Sequence, residues 1–414
     1  MKVYKIGIVG GGAAGLMAAI SAAQEGCNSV ALFEGNVRCG TKILMSGGSR
    51  CNVTNYSVKA EDFFGGSKNF IKNVLHGFTD KMTIKFFEEL GVKLKLEPAG
   101  KYFPEDDKAS SVLHALLRRA GDLKVNIIVS TKIEKIEFSE GLFSLTSGEN
   151  IFKAEKVILT TGGKSYPTSG SDGGGYSLAK SFGHTLVTPF PALTPILLNE
   201  EDSLTKLSGV TIPARLTIYY KGKKHIESEN SLLFTHFGLS GPAALNISRE
   251  VERLKNEDAK LFVNFIPSYS FETLSKYLKD QIKSGSDRLV LSLFKEHLPL
   301  SLAETIFSIA KVPIDKKFYS LSKEELKCLV TVAASYELKT KGVRGFNQAE
   351  VTAGGIPVGE VKYQTMESKL QNGLFLAGEI LDVDGLIGGY NFQWAWSTGF
   401  IAGHSAAREA AKKI

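Results

Sequence analysis

Apolar and polar positions along the 414-residue chain fall into three regimes. Near the N-terminus an apolar run from Val3 to Val9 opens onto Gly10-Gly11-Gly12, and a small-residue stretch from Leu16 to Ala23 follows. An apolar run of that length ending in glycine predicts a buried strand, and the small-residue stretch predicts a close-packed helix. Ser29-Val30-Ala31-Leu32-Phe33, Lys156-Val157-Ile158-Leu159 and Gly373-Leu374-Phe375-Leu376 repeat the strand signature. The last of these leads to a second small-residue helix from about Phe392 to Ala407. In the middle of the chain the pattern alternates, as in Arg215-Leu216-Thr217-Ile218-Tyr219-Tyr220 before a Lys221-Gly222 turn and in Leu261-Phe262-Val263-Asn264-Phe265. Alternation predicts half-buried strands. From Ser270 to about Ala334 the period turns helical, and Ser301–Glu304 and Ser322–Glu325 both have capping-box spacing.

The expected fold is α/β: a Rossmann-type, discontinuous nucleotide-binding domain over residues 1–190 and 348–414. Into it are inserted a small β-barrel-like domain at 191–267 and a helical domain at 268–334, with 335–347 returning as a strand of the β insert. Substrate pockets commonly form where such domains meet.

Residues 10–15 read G-x-G-x-x-G between a strand and a helix, the context a dinucleotide fingerprint requires. Gly10 serves the turn, Gly12 the approach of a diphosphate, and Gly15 the packing of helix on strand. Ala13 and Ala14 lend their amides to the positive end of the helix. Glu34 ends the second strand, where a carboxylate receives the ribose hydroxyls. That acid suits NAD and FAD alike. Three further segments select FAD: the glycine-rich, basic stretch from Arg38 to Asn52, the strand exit Thr161-Gly162-Gly163, and Gly378-Glu379 with Asp382, Gly388-Gly389-Tyr390-Asn391 and a helix.

The chain resembles the BaiN-like family of bacterial NAD(P)/FAD-dependent oxidoreductases. The resemblance rests on residues 10–15, Lys42-Ile43-Leu44-Met45-Ser46-Gly47-Gly48 with Cys51-Asn52, and Thr161-Gly162-Gly163 with Ser165-Tyr166-Pro167. It continues through Leu233-Phe234-Thr235-His236, Ser240-Gly241-Pro242, Glu350-Val351-Thr352, Thr365-Met366-Glu367-Ser368 and the C-terminal glycine block. Gly173-Gly174-Gly175 stands where the family often has Gly-Asp-Gly, and Thr41 precedes Lys42 after Gly40. The resemblance implies a non-covalent FAD held by Gly40, Lys42, Gly47, Gly48, Asn52, Thr161, Gly162, Gly163, Gly378, Glu379, Asp382, Gly388, Gly389, Tyr390 and Asn391, besides the fingerprint and Glu34. It also implies hydride transfer with a small organic substrate, as enone-type double-bond reduction or small-amine oxidation. His236, Tyr166 and Tyr390 are the candidate proton donors, each with a structural alternative as a packing or loop-holding group.

NAD(P)H is expected, if at all, as a transient electron donor. The run Gly170-Ser171-Asp172-Gly173-Gly174-Gly175 has no apolar strand before it and the wrong spacing for a second fingerprint. The net charge of +7 comes from 50 basic and 43 acidic residues without a basic block, so no nucleic-acid partner is expected. An RNA-modifying flavoprotein and a non-catalytic flavin sensor or scaffold remain the alternatives. Cys27, Cys39, Cys51 and Cys328 show neither C-x-x-C nor zinc spacing, so a metal site is not expected and reduced thiols in a cytoplasmic protein are. No apolar stretch is long enough for a membrane span.

Overall fold

The computed structural model describes residues 2–412. The chain divides into two compact units, one running up to Phe190 and resuming at Glu350, the other formed by Pro191–Ala349. Each has its own apolar core.

A seven-stranded sheet carries the first unit. Strand β1 (Val3–Val9) lies between β2 (Val30–Phe33) and the strand Asn150–Leu159, parallel to both. Asn126–Ile128 adds a parallel strand beyond β2, and Leu374–Leu376 pairs in parallel with the end of Asn150–Leu159. The start of that long strand pairs antiparallel with Leu142–Ser147, which pairs in turn with Lys135–Ser139. Ile6, Ile8 and Leu32 have no solvent exposure, as strands covered on both faces require. Because β1 is followed by β2 on one side and by a much later strand on the other, the ends of β1 and Asn150–Leu159 flank a topological switch point. Open α/β sheets bind ligands at such points.

Helix α1 (Ala13–Gln24) packs along the helix Tyr390–Ala411. A side chain on Gly399 or Gly403 would run into the carbonyl of Ala14 or Ala18, so glycine spacing on one helix admits the backbone of the other. The C-terminal helix extends beyond both ends of its apolar pattern. Its first turns are held by burial of polar Gln393, which accepts from Thr54 Oγ1 at 2.7 Å and donates to the Phe78 carbonyl at 3.0 Å.

The second unit is a seven-stranded antiparallel sheet with helices. Its outer strands, Tyr336–Leu338 and Thr340–Val343, are separated only by Lys339, so one bent stretch serves both edges and the sheet curls back on itself. The helices Phe271–Lys283, Val290–His297, Leu300–Ala310 and Lys323–Ala334 bury side chains in the same core as the strands, Leu216 and Phe234 beside Phe294 and Phe307. Ser322 and Glu325 form their capping box. Ser301 does not cap: the helix begins at Leu300 after Pro299, which leaves Ser301 inside the first turn. Among the described residues no helix is long and apolar enough to cross a membrane.

Candidate functional site

The first unit gathers most of the expected cofactor residues at the ends of its parallel strands. A Cβ on Gly15 would overlap the Gly10 carbonyl oxygen, so this helix can leave this strand only with glycine there. Gly12 caps α1 in an extended conformation, with open space where a side chain would be. The amides of Ala13 and Ala14 have no partner within the helix. Glu34, 8% exposed, accepts from Gly11 N through Oε2 and from Asn36 N through Oε1, both at 2.7 Å. Each carboxylate oxygen retains capacity for a ribose hydroxyl.

Gly40 N donates to the Gly11 carbonyl at 2.9 Å and starts α2 (Thr41–Ser49), whose backbone leaves helical geometry at Ser46, Gly47 and Gly48. Lys42 Nζ lies 2.6 Å from Glu379 Oε2 and donates to Ser165 Oγ at 2.8 Å. Ser165 Oγ and Thr352 N donate to Glu379 Oε1 at 2.7 and 2.9 Å. Burial opposes the charge on Glu379, but the Lys42 ammonium and these donors outweigh it and lower its pKa. Lys42 and Glu379, expected as separate cofactor contacts, are thus partners of each other. Thr161, Gly162 and Gly163 follow the strand Asn150–Leu159, with Gly163 against Thr352.

At the C-terminal end Gly378 N donates to Thr398 Oγ1 at 2.9 Å, and the Asp382 carbonyl accepts from Gly66 N at 2.8 Å. Gly388 and Gly389 lead into the helix at Tyr390, and the Gly388 carbonyl accepts from Asn55 Nδ2 at 3.0 Å. Asn391 spends its amide on Gly385, accepting at 2.8 Å and donating at 3.0 Å, so it shapes the loop.

Three buried polar atoms in these segments lack a partner: Asn52 Oδ1, Thr161 Oγ1 and Tyr176 OH. Native interiors rarely leave such groups unpaired. Asn52 adjoins Gly47, Thr161 follows the central strand, and Tyr176 feels Glu379 and Asp382, which after burial raise its pKa. A polar ligand spanning the three segments accounts for all of them, so the residues present fit FAD. The Gly170–Gly175 run is no second fingerprint. It follows a short turn, Pro167–Ser169, and is tied to the loop after Glu34 by the bond of Asn36 Nδ2 to the Ser169 carbonyl at 2.8 Å.

Tyr166 is half-buried with φ +48°, a left-handed conformation that costs an aromatic residue about 1 kcal/mol. Burial and the charge of Glu350 raise its pKa. Tyr390 packs edge-on to Phe63 with centroids 6.1 Å apart, and burial, aided by Asp62, pushes its pKa up to about 12. His236 belongs to the second unit. It is exposed in the turn between Lys223–Thr235 and Gly238–Ser240, its ring 4.9 Å from that of Phe237. The strand Gly238–Ser240 lies between it and the helix Gly241–Arg253, which has Pro242 in its first turn. Cys39 and Cys51 are buried, and burial pushes each thiol up to about 12, which removes the reactive thiolate.

Sequence reasoning placed Glu350 in a motif without a role. It is exposed, yet its carboxyl is desolvated by surrounding protein and its pKa is raised, with Lys101 opposing the shift.

The first unit defines an enzyme of the Rossmann type, an FAD-dependent oxidoreductase. The chain belongs to the HI0933-like family, whose model, described as the HI0933-like protein Rossmann domain, matches residues 4–405. It is 34% identical to a 3-dehydro-bile acid delta(4,6)-reductase of Clostridium scindens over 406 residues, 97% of this chain and 99% of that one. It is 32% identical to a ribosomal RNA dihydrouridine synthase of Haemophilus influenzae, over 97% of this chain and 98% of that one. The solved structure of 3-ketosteroid delta1-dehydrogenase from Sterolibacterium denitrificans shares the fold with a TM-score of 0.51 at 12% identity, covering 99% of this chain and all of that one.

Proposed function

We propose that the protein reduces a carbon–carbon double bond conjugated to a carbonyl, using non-covalent FAD. The observation that carries this reading is the full-length likeness to a delta(4,6)-reductase of a 3-dehydro substrate. When bound, the flavin supplies the hydride, and the chain supplies orientation, potential and protons. The α1 N-terminus holds the diphosphate and Glu34 the ribose. The segments of Lys42, Asn52, Thr161–Gly163 and Gly378–Asp382 hold the remainder. The N-terminus of the Tyr390–Ala411 helix, which has no side-chain cap, offers positive potential for charge that develops on reduction. Tyr166 and Tyr390 stay protonated at neutral pH and serve as hydrogen-bond donors to a substrate carbonyl. NADH or NADPH is proposed as a donor that docks transiently.

A second reading has the same chemistry act on the uracil ring of an RNA, whose double bond is also conjugated to a carbonyl. Ribosomal RNA dihydrouridine synthases of Haemophilus influenzae and Escherichia coli, at 32% and 31% identity over nearly the whole chain, support it.

Both readings are tested by reducing the bound flavin anaerobically with NADH or NADPH and adding either androst-4-ene-3,17-dione or RNA from cells lacking this protein. The expected result is flavin reoxidation and a product two hydrogens heavier with one of them. A flavin that neither acceptor reoxidises contradicts both.

A further inference from the structure

In the second unit the short strand Ile196–Leu198 pairs with Gly238–Ser240 on one side and with Thr340–Val343 on the other. Phe237 stands just before the first neighbour and Arg344 just after the second. Leu198 N donates to the Phe237 carbonyl at 3.1 Å, and Arg344 N donates to the Pro195 carbonyl at 2.9 Å. The two backbones are thus fastened at opposite ends of the shared strand. The Arg344 guanidinium carbon nevertheless lies 4.6 Å from the centre of the Phe237 ring, so its side chain runs diagonally across Ile196–Leu198. Buried groups hold both ends of this arrangement. Thr194 Oγ1 donates to the Arg344 carbonyl at 2.7 Å and Thr194 N donates to Ser248 Oγ at 3.1 Å, with Thr194 and Ser248 both at 0% exposure. On the other side Thr235 Oγ1 donates to the Gly238 carbonyl at 2.9 Å. A Cβ on Gly238 would come within 2.2 Å of the Ile196 carbonyl oxygen, so the turn bearing His236 and Phe237 is closed tightly on the strand.

The Arg344 guanidinium is half-buried and offers five N–H donors. Among the described residues no carboxylate pairs with it and no oxygen accepts from it. Other arginines are matched: Arg50 with Glu97, Arg215 with Glu229, and Arg249 and Arg253 with Glu250. The Phe237 ring meets the positive charge but accepts none of the hydrogen bonds that lie in the guanidinium plane. Beside it, exposed His236 has its ring 4.9 Å from that of Phe237, and among the described residues neither of its nitrogens is hydrogen-bonded. A planar fork of idle donors, fixed in place beside an idle imidazole, is complementary to a carboxylate or a phosphate, which accept two parallel bonds from it. Its fixed position also limits the side-chain freedom lost on binding.

We propose that Arg344 is an anion-binding site of the second unit and grips an oxyanion carried by the substrate, a carboxylate or a phosphate, with His236 as a second donor. This rests on the double-bond reduction proposed above and adds that the acceptor is itself an anion. The guanidinium donates two N–H bonds to the oxyanion, and Phe237 backs one face of the fork and keeps water from it.

The test measures equilibrium binding to FAD-loaded, oxidised wild type, R344M and R344K, with no reaction run. 3-Oxochol-4-en-24-oic acid and its methyl ester differ in charge and probe a carboxylate, and poly(U) probes phosphates. One expected result is that wild type binds the acid about 10-fold or more tighter than the ester while R344M binds the two alike. R344K, which keeps the charge without the planar fork, then restores only part of that preference. The other is salt-dependent binding of poly(U) whose slope, log K against log salt, is smaller by about 0.7 in R344M. The first assigns the site to a carboxylate and the second to a phosphate. A wild type that shows neither preference, or preferences that persist unchanged in R344M, overturns the proposal. If R344M does not fold, the same comparison between wild type and R344K decides, and equal preferences overturn it. Because these measurements involve no turnover, a flavin that no acceptor reoxidises overturns the double-bond reading separately from the role of Arg344.

Discussion

The ammonium of Lys42 and the carboxylate of Glu379 meet at 2.6 Å across 337 positions of sequence, joining the first turn of α2 to the exit of the strand Leu374–Leu376. Cutting either partner leaves the other charge desolvated. The Glu379 side chain keeps 19% of its surface, so the lower end of the range for a broken buried pair applies. K42M and E379Q are each expected to lose about 3 kcal/mol in urea unfolding. The double variant is expected to lose less than the sum of the two. Additive losses would show that the pair is not coupled.

The same pair sets a pH dependence. The folded-state pKa of Glu379 is lowered, so its contribution is complete above the unfolded carboxyl value of about 4.3 and fades as pH falls toward the folded value. Melting temperature measured from pH 7 to pH 3 is expected to fall more steeply in wild type than in E379Q below about pH 5. Parallel curves contradict this.

Glu34, proposed above to hold the ribose, already accepts from the amides of Gly11 and Asn36. E34Q keeps the shape and loses the charge, and its FAD dissociation constant is expected to rise about 10-fold. E34A also frees two amides and is expected to cost about 100-fold. Fluorescence titration of the apoprotein with FAD measures both.

Gly403 faces the backbone of α1 with no room for a side chain. G403V is expected to destabilise the protein by about 3 kcal/mol or to prevent folding. A substitution at exposed Gly141, already at the tip of a hairpin with nothing near it, is expected to cost about 1 kcal/mol. Chemical unfolding distinguishes the two sites.

Thiol titration of the native protein at pH 8 is expected to label Cys328, which is exposed, and to spare Cys39 and Cys51 until denaturant is added. Rapid labelling of Cys39 or Cys51 in the native protein would contradict their burial.

Local chemistry made much of this molecule readable. The turn at Gly10–Gly15, the acid at Glu34 and the glycine exits at Gly162 and Gly388 each declare themselves within a few residues, because a strand, a turn and a helix must follow one another there. Pairings between distant segments leave no such mark. Lys42 and Glu379 were separately legible as cofactor residues but not as each other's partner, and Asn391 gave no sign that Gly385 would occupy its amide. The capping box at Ser301 failed locally: Pro299 set the helix start one residue before the serine. The curl of the second sheet depended on a bend at Lys339 that alternation does not encode.

The most direct check of this account is the flavin content of the purified protein, released by heat and measured by absorption and chromatography. About one FAD per chain, leaving in the supernatant as a non-covalent cofactor, is the predicted result. A colourless protein that also fails to take up added FAD, or one that binds NAD in its place, would contradict the central claim.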